Sequence, residues 1–401
     1  MAKKKEVTYI NGRYAGQYLD EKTCGILENL RKLDETNGSV QDLSNCIFDL
    51  TPSEVSMVIE SKSNEFIPLR KGRLENVQTT GVAYAYFAKR LIIGDSVGMG
   101  KTIEVCALCN MLEAEHEKQG YSFRFLLLTN KTSVKDIREK MVRFTGNYVQ
   151  TVFGEKSDVQ KFREENEDGL IASVVGSHSL LKSELFQDYF RWHQQEFGCN
   201  PFDLLVIDES GDILTNTSTQ MWKQGKFLAD MFERKVLLNA TSFEKSLRQF
   251  YAQLAFIDDT LLPTKTAFSK EYEIMDYYGA YPTFSGKYKN AEKFRQLIGY
   301  RYIKRTRKQT GAVMKDCSAE AIISDLSKEQ KYLMDKVSIP TMVYDCPSYF
   351  PLFEIETNVE TTPKLRDLVE LITERLADEE TILVYARYKE AQQAIKEALE
   401  G

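Results

Sequence analysis

"LIIGDSVGMGKTIE", residues 91–104, runs from an apolar stretch through two glycines into a lysine, a threonine and renewed amphipathic sequence. A phosphate cradle needs backbone N–H groups pointing inward, glycines for close approach, and a helix N-terminus supplying partial positive charge. Gly98 and Gly100 meet the need for close approach. Lys101 can then reach the β- and γ-phosphates of a nucleotide, and the Thr102 hydroxyl can ligate Mg²⁺. Asp95, Ser96, Val97 and Met99 complete the loop, with Asp95 where the strict G-x-x-x-x-G-K-[ST] pattern has its first glycine. An idle strand-to-helix turn would not need Lys followed by Thr at the helix start.

The chain around this loop has 401 residues, enough for two or three domains. Hydrophobic residues at 42% and charged residues at 28% exclude collagenous, disordered and membrane classes. No apolar run approaches the roughly 18 residues of a spanning helix, and "MAKKKEV" leads into no apolar signal core, so a cytoplasmic protein is expected. The seven scattered cysteines do not form a disulfide framework, and Cys106 and Cys109 read as core residues of a helix. A net charge of −6 confines any nucleic-acid surface to a local patch.

Residues 1–65 read as an accessory region, with the Asn-Gly of a tight hairpin in "VTYINGRYAG" and helical spacing in "DEKTCGILENLRKL". "TPSEVSMVIES" carries a helix-start signature. From about residue 66 to 262 short apolar runs alternate with amphipathic stretches, the rhythm of an α/β fold. "RLIIGD", "RFLLLTN", "LIASVVG", "FDLLVIDE" and "KVLLNAT" are the predicted buried strands, and function is to be sought at their carboxyl ends. Past Phe256 the strand rhythm stops, and residues 263–355 read as a helical, aromatic and basic protrusion with a linker. Residues 356–401 give one helix, one strand and one helix, too few to close a sheet, so this last domain reads as incomplete.

A phosphate loop also needs acid at the end of another strand. "FDLLVIDES" supplies it, with Asp208 to hold Mg²⁺ and Glu209 to orient or deprotonate the attacking water.

With their surroundings, these two pieces resemble the Swi/Snf branch of the superfamily two nucleic-acid motors. The family's loop reads D-E-M-G-L-G-K-T where this chain has "DSVGMGKT", which accounts for Asp95. "RLENVQTTGVAYAYF" is similar to L-x-P-Y-Q-x-x-G and implies that Gln78 reads adenine. "FLLLTNKTSVKDIREKMVRFTG" and "LIASVVGSHSLLKSE" resemble the next two family segments. "KVLLNATSFEKSLRQFYAQLAFID" resembles the segment containing T-A-T-P-I-Q-N, which implies that Asn239, Ala240 and Thr241 couple ATP state to DNA grip. "YIKRTRK" resembles L-R-R-T-K, and the residues from Thr362 resemble the opening of a second RecA-like domain.

The resemblance implies a RecA-like parallel sheet flanked by helices, a P-loop NTPase fold, with a helical protrusion and an incomplete second RecA-like lobe. It implies ATP and Mg²⁺ as ligands and double-stranded DNA as partner, with hydrolysis coupled to movement on DNA. The family's arginine fingers lie late in the second domain, beyond residue 401, and such an arginine contributes about 10³ to 10⁵ in turnover. Weak activity is therefore expected of this chain alone, the rest being supplied by a further lobe or a protein partner. Two departures bear on coupling. The family's D-E-x-H is Asp208, Glu209, Ser210, Gly211 here, and its Pro-Ile-Gln-Asn is Ser242, Phe243, Glu244, Lys245.

Motors of this kind track the phosphate backbone. The matching positions are Asn130, Lys131, Thr132, Ser177 and His178, the last also readable as a surface-loop histidine. Residues 287–308 carry nine Lys/Arg, Lys304 and Arg305 among them, against the single acid Glu292, a candidate contact patch or merely a solvated face. Phe294 and Tyr302 within it read as packing residues. Two rival readings stand beside the motor: a degenerate motor kept as a nucleotide- or DNA-binding regulatory module, and a P-loop ATPase acting on protein partners.

Overall fold

The computed structural model describes residues 4–5, 9–10, 13–14, 19–36, 74–169, 171–240, 246–262, 264–277, 282–306, 324–325, 328, 331–332, 363–377, 382–386 and 389–400. The chain divides into two units, Met1–Val313 and Met314–Gly401.

In the first unit six strands alternate with helices: β1 (Arg90–Ile93), β2 (Phe125–Thr129), β3 (Val149–Val152), β4 (Ser173–Ser177), β5 (Leu204–Ile207) and β6 (Arg234–Leu238). A hairpin of β7 (Glu273–Asp276) and β8 (Thr283–Tyr288) follows, then β9 (Tyr302–Ile303). The main sheet has the order β9-β1-β6-β5-β2-β4-β3, and every neighbouring pair is parallel. It is the parallel α/β architecture that the apolar runs implied, and all five of those runs are strands.

Both faces of the sheet are covered, which is why its strands read as continuous apolar runs. Successive side chains point to opposite faces, so Phe125 and Leu127 join one core and Leu126 and Leu128 the other. The first core is closed by α1 (Glu21–Thr36), α2 (Asn76–Ala88), α3 (Lys101–Lys118) and α4 (Val134–Thr145). The second is closed by α5 (Lys156–Glu165), α6 (Glu184–Phe197), α8 (Gln220–Asp230), α9 (Leu247–Ile257), α10 (Lys265–Tyr272) and α11 (Ala291–Ile298). The four-residue α7 (Ser210–Ile213) lies after β5. Ser183, Thr219, Ser246 and Thr264 each accept a hydrogen bond from a first-turn N–H of the helix that follows. Cys106 and Cys109 lie in the first core, and burial pushes the Cys106 thiol up to about 12, as inert packing residues require.

Three features depart from the sequence reading. Gln150 and Thr151 break the apolar run of β3, so this edge strand carried no signal. Strand rhythm does return after Phe256, because Tyr302 and Ile303 pair with Ile92 and Ile93 at the other edge. The segment read as a helical protrusion holds α10 and α11 but also the β7–β8 hairpin, whose register shifts between Glu273 and Met275. At the N-terminus, Tyr9–Ile10 pairs antiparallel with Arg13–Tyr14, as the Asn-Gly turn predicted. The helix start read in "TPSEVSMVIES" lies outside the described residues.

The second unit contains α12 (Pro363–Ala377) and α13 (Lys389–Glu400). The strand read between them is not formed over 382–386, where Leu383 and Tyr385 are exposed. A strand needs a neighbour to satisfy its backbone N–H and C=O groups, and none is paired with it among the described residues. Among the same residues no helix is long and apolar enough to cross a membrane.

One buried charge lowers stability. Lys235, 3% exposed, lies 3.6 Å from Asp230, and burial together with Arg90 and Lys226 lowers its pKa from 10.5 to about 8. Because the folded value is depressed, the native state gives up this proton first as pH rises. The cost is therefore fully present below pH 8 and is relieved between about 8 and 10.5. A shift of that size corresponds to about 3 kcal/mol. Lys235→Met is expected to raise unfolding stability at pH 7 by about 1–3 kcal/mol and to remove the alkaline rise, as measured by urea titrations at pH 7, 8.5 and 10.

Candidate functional site

The loop from Gly94 to Gly100 leaves the carboxyl end of β1 and enters α3 at Lys101. Gly98 and Gly100 both sit at φ 82°, in the left-handed region that glycine adopts without strain. A Cβ at Gly100 would also collide with the Gln78 side-chain amide. Gln78 Nε2 donates to Met99 O at 3.1 Å, while its Oε1 accepts from Glu75 N at 3.0 Å. The residue read as the adenine contact is thus fastened to the phosphate loop. Lys101 Nζ donates to Asp95 O at 2.8 Å and Ser96 O at 3.4 Å, and Val97 stands exposed at the tip.

The acid pair follows β5. Two strand spacings separate β1 from β5, with β6 between them, so the loop and the acids share one sheet edge about 10 Å apart. Glu209 N donates to Asp208 Oδ1 at 3.0 Å, and Thr129 Oγ1 lies 3.5 Å from Oδ2. Burial raises the Asp208 pKa, opposed by the Glu209 N–H and the charge of Lys101. Burial and the neighbouring Asp208 raise that of Glu209, again opposed by Lys101. Glu209 holds a left-handed backbone at φ 49°, strain of the kind that functional turns carry. The sheet order thus sets Gly98, Gly100 and Lys101, with Gln78 bonded to their loop, on the same edge as Asp208 and Glu209.

The donor set suits a hard, hydrated cation. Thr102 and Asp208 are the only two protein ligands expected from the sequence, and Mg²⁺ usually keeps several waters and substrate phosphates around one or two carboxylates.

Other assignments are corrected. Asp95 does not face the loop opening: its carboxylate is fully buried, with Oδ1 accepting from Arg305 N at 2.8 Å and Oδ2 paired with Arg305 Nη2. Arg305, read as a nucleic-acid contact, is 2% exposed, and its Nη2 also donates to Glu104 at 2.8 Å. Gly81 leaves room for this guanidinium, since a Cβ there would meet both terminal nitrogens. Neither Glu104 nor Gly81 stood out in the sequence, because their partner lies some two hundred residues away.

Ser177 is buried against Phe153 O and Ser179 Oγ, so it offers no free hydroxyl at the surface. His178 is no surface-loop residue either. Its Nε2 donates to Asp208 O at 2.7 Å, and burial lowers its pKa, favouring the neutral ring. Asn130, Lys131, Thr132 and Lys304 are exposed, Lys131 pairing with Glu155 at 2.7 Å. Part of the basic run is engaged internally: Arg301 is buried on Asp258, Lys293 pairs with Glu271, and Phe294 and Tyr302 pack in the second core, while Lys287 and Lys289 are exposed and Arg307 and Lys308 lie outside the described residues. Asn239 is buried beside the acidic turn, Ala240 follows it, and Thr241 lies outside the described residues.

A profile of the family described as SNF2-related domain matches residues 57–369. The chain is 24% identical over 187 residues to the chromatin-remodeling ATPase INO80 of Lodderomyces elongisporus, covering 44% of this chain and 11% of that protein. It is 26% identical over 185 residues to the DNA repair and recombination protein RAD54B of Gallus gallus, covering 45% and 19%. Against the RAD54-like protein of Mus musculus it is 22% identical over 214 residues, covering 52% and 28%. The chain thus spans between 11% and 28% of the length of these relatives. The Sulfolobus solfataricus SWI2/SNF2 ATPase core in complex with dsDNA is similar at a TM-score of 0.49 and 17% identity, covering 82% of this chain and 70% of that one.

Arg305→Gln leaves Asp95 and Glu104 buried without their counter-charge. A loss of about 3–5 kcal/mol in unfolding stability is expected, whereas the exposed Lys304→Gln should leave the urea midpoint unchanged.

Proposed function

Because the chain belongs to the SNF2-related domain family, we propose that it is an ATP-driven motor domain that binds Mg·ATP and double-stranded DNA and couples hydrolysis to movement along the duplex. One observation carries the reading: the glycine-rich loop and the acid pair leave the carboxyl ends of β1 and β5, which share one edge of the parallel sheet with only β6 between them.

In this scheme the triphosphate takes over Lys101 from the carbonyls of Asp95 and Ser96, a charge-assisted contact replacing two neutral ones. Gln78 reads adenine from a position already tied to Met99, so base recognition and loop conformation reinforce each other. Glu209 orients the attacking water, and its raised pKa brings it nearer the operating pH, where a general base is most effective. Asp208 and Thr102 would hold the Mg²⁺, which supplies charge neutralisation on the phosphate oxygens when bound. His178 fixes the backbone at Asp208.

Nucleic acid is assigned to the same edge of the sheet. Asn130, Lys131 and Thr132 lie after β2, and a groove of about 640 Å³ past β3 and β4 is lined by Lys156 and Lys182 together with Glu184 and Asp188. Lys304 is exposed at the other end of this edge, after β9. The printed names of the relatives, a chromatin-remodeling ATPase and DNA repair and recombination proteins, favour a duplex as the track.

The test is Mg·ATP binding by calorimetry with steady-state turnover, with and without duplex DNA. Binding, stimulation by DNA and loss of nucleotide binding in Lys101→Ala are expected, as is a DNA affinity that falls linearly with salt on logarithmic axes. Folded protein that takes up no Mg·ATP would end the proposal. Uptake without DNA stimulation would favour a regulatory module, the reading to which Gly211 lends weight.

A further inference from the structure

Gly211 stands where the family pattern D-E-x-H has histidine, and Asn239 where T-A-T has its first threonine. The two changes meet in space. A Cβ at Gly211 would lie inside van der Waals contact of Asn239 Nδ2, Cγ and Oδ1. Asn239 has little freedom to yield, being 2% exposed with its Nδ2 donating to Gln253 Oε1 at 3.1 Å. That same oxygen accepts from Ser210 Oγ at 3.2 Å, and Gln253 is fully buried on α9. One turn earlier on this helix, Gln249 Nε2 donates to Gly211 O at 2.6 Å.

We infer that Gly211 and Asn239 are a compensated exchange, in which the Asn239 amide fills the space of a side chain at 211 and Gln253 joins it to the acidic turn. Asn239 and Gln253 are then positioning residues. They hold the turn bearing Asp208 and Glu209 against the end of β6, a connection that Gly211, having no side chain, cannot make. Two glutamines four residues apart on α9 present their amides to one turn, as helical spacing allows. Removing this buried oxygen is costly because Asn239 Nδ2 would lose an acceptor, whereas Ser210 Oγ could still donate to Leu238 O at 3.2 Å. The catalytic side of this inference rests on the ATPase reading above.

A double-mutant cycle tests it, with Gly211→His, Asn239→Thr and the two combined in the full chain. Unfolding by urea, Mg·ATP affinity, and the ratio of DNA-stimulated to DNA-free turnover are read for each. Gly211→His alone is expected to lower stability and to cut the stimulation ratio about tenfold, because the imidazole meets Asn239. In the double variant the histidine gains the space, so stability and the ratio should both lie closer to the parent than in Gly211→His. Gln253→Leu should depress the ratio while Mg·ATP affinity changes by less than about threefold, a split that a purely structural role would not produce. If the double variant is at least as impaired as the sum of the singles in both stability and ratio, the exchange is refuted. If the parent chain shows no ATP turnover, the ATPase reading fails by itself, and the unfolding cycle still decides whether the two positions compensate.

Discussion

Asp95 divides its polar groups between two tasks, and the site depends on that division. Its carbonyl receives Lys101, and its carboxylate clasps both the backbone and the guanidinium of Arg305. A free carboxylate would repel the triphosphate that the proposed function places here, and Arg305 sequesters that charge away from the loop opening. Glu104 shares the guanidinium and anchors the first turn of α3 to the same point. The start of the loop, its exit into α3 and the chain after β9 are consequently held by one buried cation.

The parallel sheet turns this local arrangement into a site. All seven strands run the same way, so their carboxyl ends supply one continuous edge. Strands β1 and β5 flank β6, and the register sets Ile93 beside Leu238 and Ile207 beside Leu237. The loop and the acids are thereby fixed by backbone hydrogen bonds that bury no charge. Apolar packing covers both faces of the sheet, and ionisable groups gather at the ends of the strands, some buried, like Asp95 and Arg305, and some partly exposed, like Asp208 and Glu209.

The fold was legible where its physics is local. Five buried strands announced themselves because both their faces are covered, while β3 and β9 did not: one is polar and peripheral, the other two residues long. Gly98, Gly100, Lys101 and the Asp208–Glu209 pair were legible for the same reason, since glycine spacing, a helix start and a strand end are properties of a few consecutive residues. What escaped was long-range. Nothing within "YIKRTRK" tells which of its cations is buried, because the acids that bury Arg305 lie at 95 and 104. His178 looked like a loop residue until the strand order placed it under Asp208.

Strand β6 occupies the middle of the edge, between the loop on β1 and the acids on β5, so whatever follows β6 can sense both. Asn239 N donates to Ile93 O at 3.0 Å on one side, while the Asn239 side chain reaches the network of Ser210 and Gln253 on the other. A displacement of the loop after β1 therefore has a short physical path into the acidic turn, three hydrogen bonds long, through Asn239 and Gln253, both of them buried. This path needs no side chain at 211. It needs only that the amide at 239 be large enough to fill the gap and polar enough to bridge it. A chain can thus lose a motif histidine and keep the connection that the histidine would serve, provided the neighbouring strand end changes with it.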